Sequence, residues 1–245
     1  SQPPVMSGKI LITGGAQRFG RALALALAAE GYEVSITYRR QHDNLKDLEE
    51  KGIQCLQADF SSTESINAFV KNFAGRSSSI RAIVHNASDW LPESDRDDPA
   101  QVMAQNWVVH VQAPYLMNLG FADQLKLGAQ DYGQADIIHI TDYVAERGSS
   151  KHIAYAASKA ALHNLTLSFA ASLAPQVKVN SIAPALLMFR ETDDGGYRKK
   201  VARKSLLSPG PGANEGIAAV KMLLESHYIT GRSLALDGGR HLKTA

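Results

Sequence analysis

A glycine-bearing turn between two apolar runs constrains this chain more than any other feature. Residues 9–13 read Lys-Ile-Leu-Ile-Thr, the composition of a short buried strand. Thr13-Gly14-Gly15-Ala16-Gln17-Arg18-Phe19-Gly20 follows, and residues 21–30 form an alanine- and leucine-rich helical stretch ended by Gly31. Strand, glycine turn and helix in that order form a unit able to hold a pyrophosphate at a helix N-terminus. Gly14 allows the tight turn, and Gly20 lets helix and strand pack closely. Arg18 stands where many dinucleotide folds have a middle glycine. Short glycine patterns recur by chance, so the flanking strand and helix carry the weight.

The rest of the chain repeats the alternation. Strand-like runs cover 33–38, 54–58, 82–85, 137–141, 178–182 and 233–236, and helical patterns fill most intervals, notably 100–127 and 153–173. This predicts one Rossmann-type α/β domain: a doubly wound parallel sheet of about seven strands with helices on both faces. A length of 245 residues fits one large domain, and 44% hydrophobic with 20% charged residues fits a packed core. The net charge of +2, without a basic block, argues against nucleic acid. No run reaches the roughly 18 apolar residues of a membrane span. The one cysteine, Cys55, forms no intrachain disulfide and reads as a buried core thiol in a reducing compartment. Residues 1–8 read as a loose arm; lacking an apolar stretch, the start is not a signal peptide, so a cytoplasmic protein is expected. The least regular segment, 186–212, carries Asp193-Asp194-Gly195-Gly196 and Pro209-Gly210-Pro211-Gly212. It is either a substrate lid or an ordinary surface excursion.

Tyr155 and Lys159 are four residues apart in the second long helical run, so they share a face one turn apart. An ammonium beside a phenol favours phenolate, which predicts a lowered phenol pKa and a proton donor useful near neutral pH. With the glycine turn, the pair points to hydride transfer from a nicotinamide nucleotide. Ribose specificity is read roughly 20 residues past the turn, where an acid would hold a 2′-hydroxyl. Here stand Tyr38, Arg39 and Arg40, whose guanidinium groups suit a 2′-phosphate and hence NADPH; ordinary solvated arginines are the bland alternative. Asp59 either meets the adenine or caps the next helix in competition with Ser61 and Ser62.

Five ordered elements together resemble the short-chain dehydrogenases/reductases over almost the whole chain. They are the glycine turn, Asn86-Ala87-Ser88, the Tyr155/Lys159 pair, the run from Val179 to Pro184, and Ile229-Thr230-Gly231-Arg232 with Asp237-Gly238-Gly239. The resemblance implies that Tyr155 is the acid/base and that Lys159 holds the nicotinamide ribose and tunes the phenol. It also implies that Gly14, Arg18, Phe19, Gly20, Asn86, Ala87, Ser88 and Pro184 line the cofactor cleft. The family's usual catalytic serine lies 13 residues before the tyrosine, where this chain has Asp142. Arg18 in the first turn, Asp142 for serine and an aromatic, Trp90, after Asn-Ala-Ser look like the family's pteridine reductase branch. The runs Thr141–Gly148 and Asp237–Leu242 carry a closer likeness within it.

That likeness implies NADPH-dependent reduction of a dihydropterin, with weak dihydrofolate reduction, by a homotetramer built on helices 100–127 and 153–173. A pterin ring could stack between nicotinamide and Trp90, with Arg18, Asp142 and Tyr155 on its polar edge. Tyr155, Asp142 and water are the candidate proton carriers. Each residue has a plainer reading: Asp142 as a cap, and Trp90 as a core or interface aromatic. His110 stands four residues before Pro114, where the family usually has an asparagine, and is either a polar anchor or a satisfied helical histidine. His85, His139 and His152 lack a metal-ligand spacing, so no metal is expected. Competing readings are a ketone or acyl reductase of the same fold, and a non-catalytic NADP-binding regulator. An ionised Asp142 is a poor donor to a developing alkoxide, and an intact Tyr155/Lys159 pair is superfluous in a sensor.

Overall fold

The computed structural model describes residues 7–41, 44–76, 78–88, 93, 98–188, 192–207 and 212–244. Its strands are β1 (Lys9–Ile12), β2 (Glu33–Tyr38), β3 (Gln54–Gln57), β4 (Ala82–His85), β5 (Ala135–Ile140), β6 (Val177–Pro184) and β7 (Ser233–Leu236). The helices are α1 (Arg18–Ala29), α2 (Leu45–Glu50), α3 (Thr63–Arg76), α4 (Pro99–Trp107), α5 (Ala113–Gly120), α6 (Ala122–Tyr132), α7 (Val144–Arg147), α8 (Ile153–Leu173), α9 (Gly195–Ala202) and α10 (Ala213–Glu225). All seven strands pair in parallel in the order β3-β2-β1-β4-β5-β6-β7.

Ile10, Leu11 and Ile12, like Ile83, Val84, Ile137 and Ile138, are fully buried, as continuous apolar runs must be when helices cover both faces of a sheet. One face packs Leu23 and Leu27 of α1 with Val220 and Leu223 of α10. The other collects Phe69, Phe73, Phe121, Leu125 and Phe169. There Phe69 meets Phe60, Phe73 and Phe121 at ring-centroid distances of 5.6, 5.7 and 6.4 Å. Cys55 is partly buried against the first core, and burial pushes its thiol up to about 11.

The chain runs outward from β1 to β3, then returns to lay β4 on the other side of β1. A crevice opens at the C-terminal ends of strands where the order reverses this way. Every described candidate residue of the sequence lies on that edge or on a helix reaching it.

The expected elements stand close to their predicted bounds, with one informative exception. The 100–127 run is not one helix. Pro114 has no N–H to offer the carbonyl of His110, and the chain takes a π turn over Val108–Gln112, where Ala113 N donates to Val108 O. A second break follows at Phe121, between α5 and α6. The 186–212 excursion contains α9, with Asp194 accepting from Tyr197 N at 2.7 Å as its cap. Residues 1–6 of the proposed arm, and 189–191 and 208–211 of the excursion, lie outside the described residues.

At the opposite end of the sheet lies a buried ionic triad. Arg81 donates to Asp136 at 2.7 Å, and Lys178 pairs with the other carboxylate oxygen at 3.1 Å. Both cations also reach the end of α10: Arg81 the carbonyl of Leu224 at 2.7 Å, Lys178 those of Leu223, at 2.8 Å, and Ser226. They satisfy carbonyls a helix end leaves unpaired, and their charge suits its dipole. Removing the central acid would strand two cations in a dry site. Asp136→Asn should therefore lower stability by about 3–5 kcal/mol in urea unfolding. A loss under about 1 kcal/mol would mean that water reaches the triad.

Candidate active site

The trough is built where β1 and β4 part. Thr13 Oγ1 accepts from Asn86 N and Ala87 N, both at 3.0 Å, and the Asn86 side chain donates to Gly14 O at 3.0 Å. From the other side, Gly14 N donates to Thr37 Oγ1 at 3.0 Å. Gly14 has φ +64°, and a Cβ there would lie 2.9 Å from Ala87 Cα. A Cβ at Gly20 would lie 2.3 Å from Gly14 O. Neither position has room for a side chain, so the turn packs directly on Ala87 and the start of α1 packs directly on the turn. Arg18, in the place of the middle glycine, holds φ 53°. That left-handed backbone costs a non-glycine residue roughly 1–2 kcal/mol, a strain typical of functional turns.

Two cavities of about 580 Å³ each open on this edge and share Gly14, Gln17, Ala87 and Ser88. One is lined by Arg18, Phe19, Gly20, Asn86, Asp142, Tyr155, Lys159 and Pro184. The other is lined by Tyr38, Arg39, Arg40 and Asp59. The switch point thus separates the residues expected at the nicotinamide end from those expected at the adenosine end. Asp59 is no helix cap: it accepts from Ser61 N at 3.0 Å and lies 4.0 Å from Arg39, while Ser62 Oγ accepts from Ser65 N at 3.2 Å near the start of α3. Trp90 lies outside the described residues.

The chemistry concentrates at the end of β5 and the first turns of α8. Tyr155 Oη donates to Asp142 Oδ2 at 2.9 Å, and Asp142 Oδ1 accepts from Val144 N at 3.0 Å. Asp142 therefore both closes a side-chain turn at the entrance to α7 and partners the phenol. Lys159 Nζ donates to the Ile140 carbonyl at 3.0 Å and lies 5.7 Å from the Tyr155 ring centroid. Burial raises the pKa of Asp142, and the phenol and Lys159 oppose that rise. Burial, then Asp142's charge and hydrogen bond, hold the Tyr155 phenol well above its ordinary value. The expected lowering by Lys159 is thus reversed: the carboxylate sits on the phenol and the ammonium does not. Burial brings Lys159 down to about 8 against the pull of Asp142.

Several lining residues were not picked out in the sequence. Thr13 and Thr37 tie the turn from both sides, and a threonine just before the glycine turn was the available signal for the first. Ser149 and His152 also line the first cavity and carry no motif, whereas Leu186, Leu187, Met188, Asp193 and Tyr197 reach it from the irregular segment 186–212. The two runs of closer likeness, far apart in sequence, meet here. Arg147 and Arg240 lie 5.0 and 4.8 Å from the Tyr143 ring centroid, and Arg147 donates to His241 O at 2.9 Å. Among the described residues no cluster could hold a metal ion.

A dinucleotide-sized trough with a tyrosine–lysine pair at one end defines an oxidoreductase that works with a nicotinamide nucleotide. The sequence pattern of the family described as short chain dehydrogenase matches residues 8–193. The chain belongs to the short-chain dehydrogenase/reductase family. It is 49% identical over 234 residues, 96% of its own length and 97% of the other's, to the dihydromonapterin reductase of Escherichia coli K12. It is also similar to the FolM alternative dihydrofolate reductase 1 of Brucella canis in complex with NADP: TM-score 0.85, 28% identity, 99% and 98% of the two chains covered. The NADPH-dependent 3-quinuclidinone reductase of Rhodotorula rubra shares the fold at TM-score 0.84 with 23% identity, over 99% and 97% of the two chains.

Lys159 carries its charge below about pH 8 and loses it above, whereas the raised phenol keeps its proton through that range. Affinity for a nicotinamide dinucleotide should be flat below this pH and fall above it, by at most about tenfold per pH unit for one proton. Fluorescence titration across pH 6–10 checks this, with Lys159→Arg removing the fall.

Proposed function

We propose that the chain reduces 7,8-dihydromonapterin to tetrahydromonapterin with NADPH, with dihydrofolate as a weaker substrate. The observation that carries the reading is the Tyr155–Asp142 hydrogen bond at 2.9 Å, on the wall of the first cavity. A carboxylate there can accept from the amino-pyrimidine edge of a pterin and share a proton with the phenol. It cannot donate to the alkoxide that forms in ketone reduction. The 49% identity to a dihydromonapterin reductase along nearly the whole chain supports the same choice.

When bound, NADPH would supply a hydride to one carbon of the ring's C=N bond, with a proton from the medium completing the adjacent N–H. The backbone of the glycine turn would hold the pyrophosphate, and Arg39 and Arg40 would pair with the 2′-phosphate. Lys159 has three ammonium hydrogens and gives one to Ile140 O, which leaves donors for the nicotinamide ribose. Arg18, Trp90 and Asp142 hold the pterin. The Tyr155–Asp142 pair, its carboxyl raised by burial and its phenol protonated, carries the proton toward the ring nitrogen. Residues 186–212 act as the lid, a role supported by Leu186, Leu187, Met188, Asp193 and Tyr197 on the cavity wall.

The exposed Met103 and Trp107 of α4, Tyr115 and Leu119 of α5, and Ile153 and Leu167 of α8 support a homotetramer joined through these helices. No helix of the described residues is long and apolar enough to cross a membrane. We assign the enzyme to the cytoplasm.

NADPH should be used far better than NADH. Arg39→Asp should erode the preference, since one charge-assisted contact is worth about 1.5–3 kcal/mol. Equal kcat/KM for both cofactors in the unaltered enzyme would refute the 2′-phosphate assignment.

Turnover of dihydromonapterin, dihydrobiopterin, dihydrofolate and a ketone panel tests the substrate class. Tyr155→Phe should cost about 10²–10⁴-fold in kcat while keeping NADPH binding. Asp142→Ser should depress pterin reduction. Fast ketone turnover with no pterin reduction by the unaltered enzyme would overturn the reading in favour of a carbonyl reductase.

A further inference from the structure

We propose that His110 is a positioning residue: its neutral imidazole fixes the cofactor loop against the catalytic helix through a hydrogen-bond chain with a single direction. The proposal rests on the reductase reading above only in that the elements joined carry Ser88 and Tyr155. His110 sits in the π turn and is 1% exposed. Its Nε2 lies 2.7 Å from Ser88 Oγ, and its Nδ1 3.0 Å from Ser158 Oγ. Its ring stands edge-on to that of Tyr155, with centroids 5.4 Å apart.

Counting hydrogens fixes the direction. Ser158 donates its one hydroxyl hydrogen to the Tyr155 carbonyl at 2.7 Å. Its oxygen must then accept from His110 Nδ1–H. Burial, with the charge of Lys159 adding to it, holds the imidazole far below its ordinary value, so the ring is neutral and has one N–H. Nε2 is therefore an acceptor, and Ser88 donates to it. Ser88 lines both cavities and is left to present lone pairs, not a hydrogen, to the trough.

The other buried histidines make the contrast. His85, Asn118, His139 and Thr166 form their own chain, with contacts of 2.7, 3.1 and 2.8 Å. None of its members lines either cavity. His110 alone among these three buried histidines joins a cavity-lining residue, Ser88, to the helix that carries Tyr155, through Ser158.

The test uses the unaltered enzyme, His110→Phe, His110→Gln, Ser158→Ala and the His110→Phe/Ser158→Ala double variant. Readouts are the kcat and KM for dihydropterin, the NADPH Kd and the thermal midpoint. Histidine ¹⁵N NMR of the unaltered protein gives the tautomer. Loss of the tie should lower kcat by about 10–100-fold with the pterin KM little changed, as for a misplaced reacting group. The glutamine amide supplies a donor and an acceptor and should recover part of the loss. The double variant should be no worse than His110→Phe, since both remove one chain. The spectrum should report a neutral ring protonated at Nδ1.

An unchanged kcat in His110→Phe, equal losses in the Phe and Gln variants, additive losses, or a ring protonated at Nε2 overturns the proposal. If His110→Phe fails to fold, the spectrum and Ser158→Ala decide it. A failure of the unaltered enzyme to reduce pterins would refute the function reading and leave the tautomer result standing, so the two failures are distinguishable.

Discussion

Two amide hydrogens converge on one hydroxyl oxygen, Thr13 Oγ1, and the trough depends on that convergence. Where β1 and β4 part, the ladder between them stops, and Asn86 N and Ala87 N lose their strand partners. A buried donor without a partner costs about 1–3 kcal/mol. The Thr13 hydroxyl satisfies both, and the Asn86 side chain adds its tie to Gly14 O. The two loops are thereby held at the separation that lets Gly14, Ala87 and Ser88 face both cavities. A wider splay would separate the glycine turn from the catalytic wall, and a narrower one would close the groove.

At the nicotinamide end, the electrostatics follow from burying a phenol and an ammonium one turn apart on α8 against an acid that follows β5. Burial disfavours each ionised form; Asp142 and Lys159 partly restore each other's charge, whereas Asp142 adds to burial in keeping the phenol protonated. The result is a buried site in which the phenol keeps its proton and gives it to Asp142 in a hydrogen bond. A serine at position 142 would remove the negative charge and the acceptor that add to burial in holding the phenol high. The residue at position 142 therefore sets whether the phenol has a charged acceptor beside it.

Much of this was legible in the sequence because it rests on short local patterns. The glycine turn, the β2 and β4 runs and the full extent of α8 follow from composition and spacing, since their burial is set by neighbours in the chain. The Tyr155/Lys159 face and the Arg39–Arg40 pair were likewise readable by position, and Asp142 only through the family resemblance. What eluded sequence reasoning depends on partners distant in the chain. The phenol's raised pKa needs Asp142 to be 2.9 Å away rather than merely 13 residues upstream. The division of the 100–127 run needs Pro114 to be weighed against a carbonyl that only a helix would present. The link between Tyr143, Arg147 and Arg240 joins segments that no periodicity connects.

A π turn holds one residue more than the α-helical turn it replaces. The turn at Val108–Gln112 can therefore be read as a one-residue insertion that the helix absorbed without changing what precedes or follows it. Deleting a residue anywhere else in α4 or α5 would rotate every downstream side chain by about 100°, the angular step of a 3.6-residue helix. Deletion inside the turn would instead return the segment to regular geometry with both flanks still in phase. The helix is thus tolerant of losing a residue at the very place where His110 makes that loss consequential, so sequence length here is set by the site rather than by the scaffold.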